Sequence, residues 1–399
     1  MNILKKAYCR TFQTCFKLVL PILPYKTPKR IPSMNKVPEC LNTHSCKSVL
    51  IITDAGIRKL GLLKELVSAL MSADIAYTVY DKTVPNPTTD NVKEALDLYY
   101  LNHCTAIIGF GGGSSMDCAK AVGICAVHPT KSLSQMKGIL KVRKKLPLLI
   151  AIPTTAGTGS ETTLAAVITD AQTRHKYAIN DFPLIPPYAV LDPNVTLSLP
   201  PFITATTGMD ALTHAVEAYI GNSTTKGTRR DALKAVKLIF ENLPVVYTDG
   251  SNVKARENML KASFYAGCAF TKSYVGYVHA VAHTLGGEYN VPHGLANAVL
   301  LPYVLEAYGE SVYEKLRQLA LAAGVADTTD TAETAAKAFI SAIWQMQKDF
   351  NIGNKIQGIK MHDIPRLAKL ADKEANPLYP VPVLMNAKEL EKFYYDVME

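Results

Sequence analysis

From Ser48 onward the chain alternates short apolar runs with longer stretches whose apolar positions recur every three to four residues. The runs at 49–53, 75–80, 106–110 and 148–153 read as strands. Between them, 56–72, 88–101 and 114–127 read as amphipathic helices. Strands that are apolar without interruption belong to a parallel sheet covered on both faces. Residues 37–199 are therefore expected to form an α/β domain. Around Pro200 the pattern changes. Residues 204–220, 228–241, 253–270, 275–286, 294–308, 312–322, 331–350, 363–371 and 387–397 all read as helices, with no strand pattern among them. The expected architecture is an α/β nucleotide-type domain followed by an all-α domain over 200–399, and a cleft between two such domains is a usual ligand site. The basic stretch 140–146 (LKVRKKL) reads as a solvated loop before the fourth strand.

Residues 1–36 stand apart as a basic amphipathic extension. Leu4, Tyr8, Phe12, Cys15 and Val19 share one helical face, and Lys6, Arg10, Gln13 and Lys17 another. The pattern breaks at Pro21, Pro24 and Pro28. Lys17 interrupts the apolar run and no small-residue cleavage site follows, which argues against a secretory signal. Length and charge exclude a membrane span. The favoured reading is a helix packed on its own domain or on a partner subunit. Contact with an anionic membrane surface and a disordered arm are the alternatives.

Composition narrows the classes further. Hydrophobic residues make up 48% of the 399 and charged residues 19%, which suits a folded core rather than disorder. The formal net charge is +9. Eight cations and no acid lie within residues 1–36, so the body is nearly neutral and nucleic-acid binding is not indicated. None of the eight cysteines forms a C-x-x-C pair, which argues against a zinc ribbon or a thioredoxin-like site and for a reduced, cytoplasmic protein.

Two polar clusters bear on phosphate binding. Gly109-Phe-Gly-Gly-Gly-Ser114 follows a strand and opens a helix, where glycines admit a close pyrophosphate and backbone N–H groups bind anions. A tight strand–helix turn would explain the same glycines. Pro153-Thr-Thr-Ala-Gly-Thr-Gly-Ser-Glu161 supplies hydroxyls after another strand. Asp54 ends the first strand, where a carboxylate would accept bonds from a ribose and repel a 2′-phosphate, or cap the following helix. Four of the nine histidines fall between His214 and His293. Asp210 and His214 are four apart, as are His279 and His283, and His293 follows Pro292. One carboxylate with several imidazoles suits Fe²⁺ or Zn²⁺ better than Ca²⁺ or Mg²⁺.

These blocks resemble the iron-containing alcohol dehydrogenases. The matching stretches are Gly111–Ser114 with Asp117 and Lys120, Thr154 through Glu161, Gly208-Met-Asp-Ala-Leu-Thr-His214, and Gly276-Tyr-Val-His279 through His283 to His293-Gly294. The last is similar to lactaldehyde reductase and propanediol oxidoreductase members. The resemblance implies Asp210, His214, His279 and His293 as metal ligands and His283 as a proton relay beside the nicotinamide. It also implies that Asp54, Asn86, Gly111, Gly112, Gly113, Ser114, Asp117, Thr154, Thr155, Thr158 and Lys176 line NAD. The expected reaction interconverts a small alcohol or diol with its aldehyde or ketone by hydride transfer. Fe²⁺ is the expected metal, Zn²⁺ its alternative, and a homodimer the expected assembly. A zinc-dependent glycerol-dehydrogenase-like enzyme and a catalytically silent homologue binding a membrane or a partner are the rival readings.

Overall fold

The computed structural model describes residues 1–399, which divide into two compact units. One comprises Pro24–Leu197. The other joins Met1–Leu23 to Ser198–Glu399. Residues 1–36 are thus not one extension, and the division falls at 23/24 rather than 36/37. The N-terminal helix Ile3–Val19 folds with the helical unit, while residues 29–31 form a strand of the sheet unit.

The sheet unit holds a six-stranded parallel sheet. Its strands are β1 (Lys29–Ile31), β2 (Ser48–Ile52), β3 (Ala76–Tyr80), β4 (Ala106–Gly111), β6 (Leu148–Pro153) and β9 (Tyr188–Val190). The order across the sheet is β1-β9-β6-β4-β2-β3. A smaller sheet, ordered β5-β8-β7, is built from β5 (Gly138–Ile139), β7 (Ala165–Thr169) and β8 (Lys176–Asn180). The two faces of the main sheet bury alternate residues. Leu50, Ile52 and Ile107 pack on one side, and Val49, Ile51, Ile108 and Phe110 on the other. That is why the central strands read as continuous apolar runs.

The four expected strands are present, each within a residue or so. The expected helix 56–72 is two pieces, Ala55–Lys59 and Lys64–Ser72, broken around Gly61, which has a φ of +69°. The strands not foreseen are the three-residue strands β1 and β9 of the main sheet and all three strands of the smaller sheet. Stretch 140–146 does lack regular structure, but Val142 and Leu146 are buried, so its solvated part is Leu140 and the four basic residues.

In the helical unit, Pro201–Ile220 is the central helix. Every residue from Gly208 to Ile220 is buried. It is covered by Lys226–Thr248, Val253–Ser273 and His293–Tyr308. A methyl group at Gly208 would run into the Leu243 side chain, so the glycine sets a close helix–helix approach. No helix is long and apolar enough to cross a membrane.

One buried ionic network ties the glycine turn to the second polar loop. Lys120, fully buried, donates to Ser160 O (2.8 Å), Ser160 Oγ (3.2 Å), Thr163 O (3.1 Å), Thr163 Oγ1 (2.8 Å) and Ala165 O (2.8 Å). Burial lowers its ammonium to about 8, with Asp117 and Glu161 opposing. The Glu161 carboxylate is buried with no hydrogen-bond partner, and burial pushes it up to about 7. The folded protein therefore keeps a Glu161 proton that the unfolded chain releases between its ordinary value of 4.5 and about 7. Stability from this group falls as pH rises through that window. Glu161→Gln is expected to remove that slope, so the variant gains up to about 3 kcal/mol over the native chain between pH 4.5 and 8. Urea unfolding at several pH values measures it. Parallel pH profiles for the two proteins would contradict the assignment.

Candidate metal centre and nucleotide cradle

The metal candidates come from three helices, each contributing residues four apart. On Pro201–Ile220, Asp210 and His214 lie one turn apart on a buried face, and Glu217 follows three residues after His214. Tyr277–Tyr289 carries His279 and His283. It ends at Asn290, whose φ of +55° stops the helix. His293 then opens His293–Tyr308, with Asn297 one turn on. One donor atom from each of Asp210, His214, His279 and His293 lies within 4.8 Å of the others. The first three are buried and His293 is more open.

Close backbone approach makes this convergence sterically allowed. A Cβ on Gly294 would stand 2.6 Å from Thr206 O, so only glycine lets His293 come this near the Asp210 helix. A Cβ on Gly276 would stand 2.7 Å from Glu217 Oε1. In that space Glu217 accepts from Val278 N (2.8 Å) and faces His279 Nδ1 at 2.6 Å. Burial, with His214, His293 and His283 around it, holds the His279 imidazole well below its ordinary range. Burial also pushes the Glu217 carboxyl up to about 8. In the tautomer that donates from Nδ1 to Glu217, His279 turns the lone pair of Nε2 toward the other donors. Asn297, fully buried, donates from Nδ2 to Asp210 Oδ1 (2.7 Å) and lies 3.1 Å from Nε2 of both His279 and His293. The His214 ring stacks on Phe270 at 4.1 Å.

The donor set suits a borderline divalent metal. It has one hard oxygen and three imidazoles, at least one of them held neutral, which is the state that coordinates. His283 lies outside the four. Its ring stacks against His293 at 5.3 Å, and its Nδ1 is 2.6 Å from Glu374 Oε1. The Tyr379 hydroxyl donates to that same oxygen (2.7 Å). Burial would raise the Glu374 carboxyl, but His283 and Tyr379 outweigh it and hold it below its ordinary range.

The nucleotide candidates in the sheet unit fall into three groups. Gly111 has a φ of +151°, and a Cβ there would meet Ser115 Oγ at 2.6 Å. Gly112 precedes helix Gly113–Val127, which places Ser114 in the first turn. A Cβ on Gly112 would approach Thr155 Oγ1 at 3.8 Å, and one on Gly113 would approach Thr158 Cγ2 at 3.4 Å. Thr154 N donates to Gly111 O (3.0 Å). The two polar clusters are therefore one cradle. The buried Thr155 Oγ1 has no hydrogen-bond partner, which is what a hydroxyl reserved for a phosphate would show. Asn86, in the left-handed region at φ +57°, accepts from Lys176 Nζ (2.7 Å). Asp54 Oδ1 accepts from Ile57 N (3.0 Å) as a helix cap, so capping accounts for one of its two oxygens. Asp117 differs in kind. Its oxygens accept from Ser160 Oγ (2.9 Å) and Val167 N (3.1 Å), bonds that hold the loop together.

The sequence alone does not single out Glu217, Asn297 or Glu374. Glu217 and Asn297 had a signal, because each sits at helical spacing from a ligand candidate. Glu374 had none, since it reaches His283 only through the fold.

The pattern of the iron-containing alcohol dehydrogenases matches residues 31–193, and that of the C-terminal part of the Fe-containing alcohol dehydrogenase family matches 204–398. The 1,3-propanediol dehydrogenase of Citrobacter freundii is 40% identical over 354 residues, covering 87% of this chain and 90% of its own. The lactaldehyde reductase of Escherichia coli (strain K12) is 35% identical over 328 residues, covering 82% and 85%. A crystal structure of a 1,3-propanediol oxidoreductase superposes with a TM-score of 0.89 at 37% identity, covering 94% of this chain and 98% of that one.

Gly294→Ala is expected to weaken iron binding at least about tenfold while leaving helix content unchanged, because it displaces the candidate ligand His293 without altering that side chain. Chelator competition followed by metal analysis measures this. Native affinity in the variant would show that the close approach does not set His293.

Proposed function

On the premise that this chain belongs to the iron-containing alcohol dehydrogenase family, we propose that Asp210, His214, His279 and His293 hold its catalytic metal. The protein is a metal-dependent, NAD(H)-linked oxidoreductase that interconverts a small alcohol or diol with its aldehyde or ketone. The observation that carries the ligand assignment is the approach of four donors of suitable chemistry to within 4.8 Å of one another. Gly111–Ser114, Thr154, Thr155 and Thr158 are assigned to the cofactor phosphates. Asn86 and Lys176 are assigned to its nicotinamide half, and Asp54 to the adenosine ribose. Asp117 is assigned to shaping the cradle rather than touching the cofactor. The substrate is proposed to be a short diol or primary alcohol, by analogy with the propanediol and lactaldehyde enzymes.

When bound, Fe²⁺ supplies a Lewis acid and the nicotinamide supplies the hydride acceptor or donor. The chain's own residues do the rest. Glu217 fixes the His279 tautomer, and Asn297 orients the Asp210 carboxylate. His283, exposed beside His293, takes the hydroxyl proton and returns it in the reverse direction. Glu374 holds the His283 ring through Nδ1, leaving Nε2 for that transfer. All eight cysteines are free thiols, which supports a reducing, cytoplasmic location. A homodimer is proposed from the family resemblance.

Three variants test these assignments. His293→Ala is expected to lose bound iron and turnover together, read by metal analysis and NADH formation on a panel of short alcohols and diols. Full activity would sink its ligand role. His283→Ala should keep its iron and lose about 100-fold in kcat. Asp54→Ser keeps a helix cap but removes the charge facing a 2′-phosphate, so the KM for NADP⁺ should fall about tenfold. An unchanged KM would assign Asp54 to capping alone.

A further inference from the structure

Residues 377–382 follow the helix Ile364–Ala375 and belong to no helix or strand, so their carbonyls need partners from elsewhere in the chain. The N-terminal helix Ile3–Val19 supplies them from its polar side. Gln13 is buried on this surface helix, and its Nε2 donates to Tyr379 O (2.7 Å) and Pro377 O (3.3 Å). Its Oε1 accepts from Arg10 Nη1 (2.8 Å), and the Arg10 guanidinium also donates to Val381 O (2.7 Å) and Pro382 O (2.6 Å). Asn222 N donates to Pro380 O (2.6 Å). Ring contacts run the same way. Phe16 meets Tyr274 edge-on with centroids 5.1 Å apart, and Tyr274 lies 6.2 Å from the Tyr379 ring. Tyr274 has a φ of +59° and a ψ of −174°, a region otherwise left to glycine, so its surroundings must hold it there. The outward side of the helix takes no part, since Leu4, Tyr8 and Leu18 point into solvent.

What this scaffold holds in place is one hydroxyl. Tyr379 is buried, and its hydroxyl donates to Glu374 Oε1 (2.7 Å). The same oxygen faces His283 Nδ1 at 2.6 Å. The Glu374 and His283 side chains are 33% and 42% exposed, so neither is locked in one rotamer by packing alone. Building on the assignment of His283 as the proton carrier, we propose that Tyr379 is a positioning residue for proton transfer, set in place by helix Ile3–Val19. The donated hydroxyl fixes one carboxylate oxygen, and that oxygen fixes the imidazole. Without the hydroxyl, the carboxylate turns to water and the ring is free to rotate. Proton transfer needs an aligned approach at hydrogen-bond length, so misorientation lowers turnover without weakening substrate binding. The metal donors should not respond, because Glu217 and Asn297 brace them independently.

The test is a double-mutant cycle on the full-length, iron-loaded enzyme, using NAD⁺ and the short alcohol or diol it oxidises fastest. Tyr379→Phe keeps the ring and removes only the hydroxyl. It is expected to lose about tenfold in kcat, with KM and bound iron unchanged. Gln13→Leu should lose about threefold, and nothing further when combined with Tyr379→Phe. Leu18→Ala, on the outward side of the same helix, should turn over like the native enzyme. Combining Tyr379→Phe with His283→Ala should be no slower than His283→Ala alone, because the hydroxyl acts only through that ring. A purely structural role would instead add its loss in the combined variant, and that result would overturn the proposal. Native kcat in Tyr379→Phe, alongside a loss in His283→Ala, would overturn it while leaving the role of His283 intact. Native kcat in His283→Ala would remove the proton carrier itself, and this inference with it.

Discussion

Placing a carboxylate and three imidazoles within 4.8 Å of one another inside a helical core sets the terms for the unit around them. Taking such groups out of water is unfavourable unless each is neutral, hydrogen-bonded or bound to a counter-charge. Here Glu217 braces His279, Asn297 braces Asp210, and Phe270 stacks on His214. The supporting helix is buried on every side from Gly208 to Ile220, which shields its carboxylate from water. Gly208, Gly276 and Gly294 are consequences of the same demand, since each is where a side chain would force helices or braces apart.

The sheet unit meets a similar problem with a different solution. A phosphate cradle needs flexible backbone and unsatisfied donors, which by themselves make a weak structure. Lys120 stabilises it from below by gathering five oxygens of the 160–165 segment onto the helix that begins at the glycine turn. The strain of that arrangement shows in Glu161, a carboxylate buried without a hydrogen-bond partner. Apolar strands on both faces of the sheet make such a local cost tolerable.

The N-terminal helix connects organisation to chemistry. Its Gln13 holds the backbone of Tyr379, whose hydroxyl reaches Glu374, which in turn holds His283. Changes at the docked face should therefore reach the proposed proton path, whereas changes at the outward face should not. One helix thus has two surfaces with separable consequences.

Much of this was legible in the sequence because it is local. Strand–helix alternation, the 3.6-residue periodicity of the helical half, the glycine turn after a strand and the i, i+4 spacing of Asp210 with His214 need only a few neighbouring residues. The motif blocks added the family and, with it, the proposed division between four candidate ligands and His283. Short strands such as Lys29–Ile31 were invisible, because an edge strand of three residues is defined by its partner rather than by its own pattern. The apolar face of the N-terminal helix was plain in the sequence, but not which face would dock. That depended on backbone carbonyls at 377–382, far along the chain. Glu374 likewise meets His283 across 91 positions, a contact that only packed helices could decide. Periodicity is carried by each segment alone, whereas convergence depends on all segments at once.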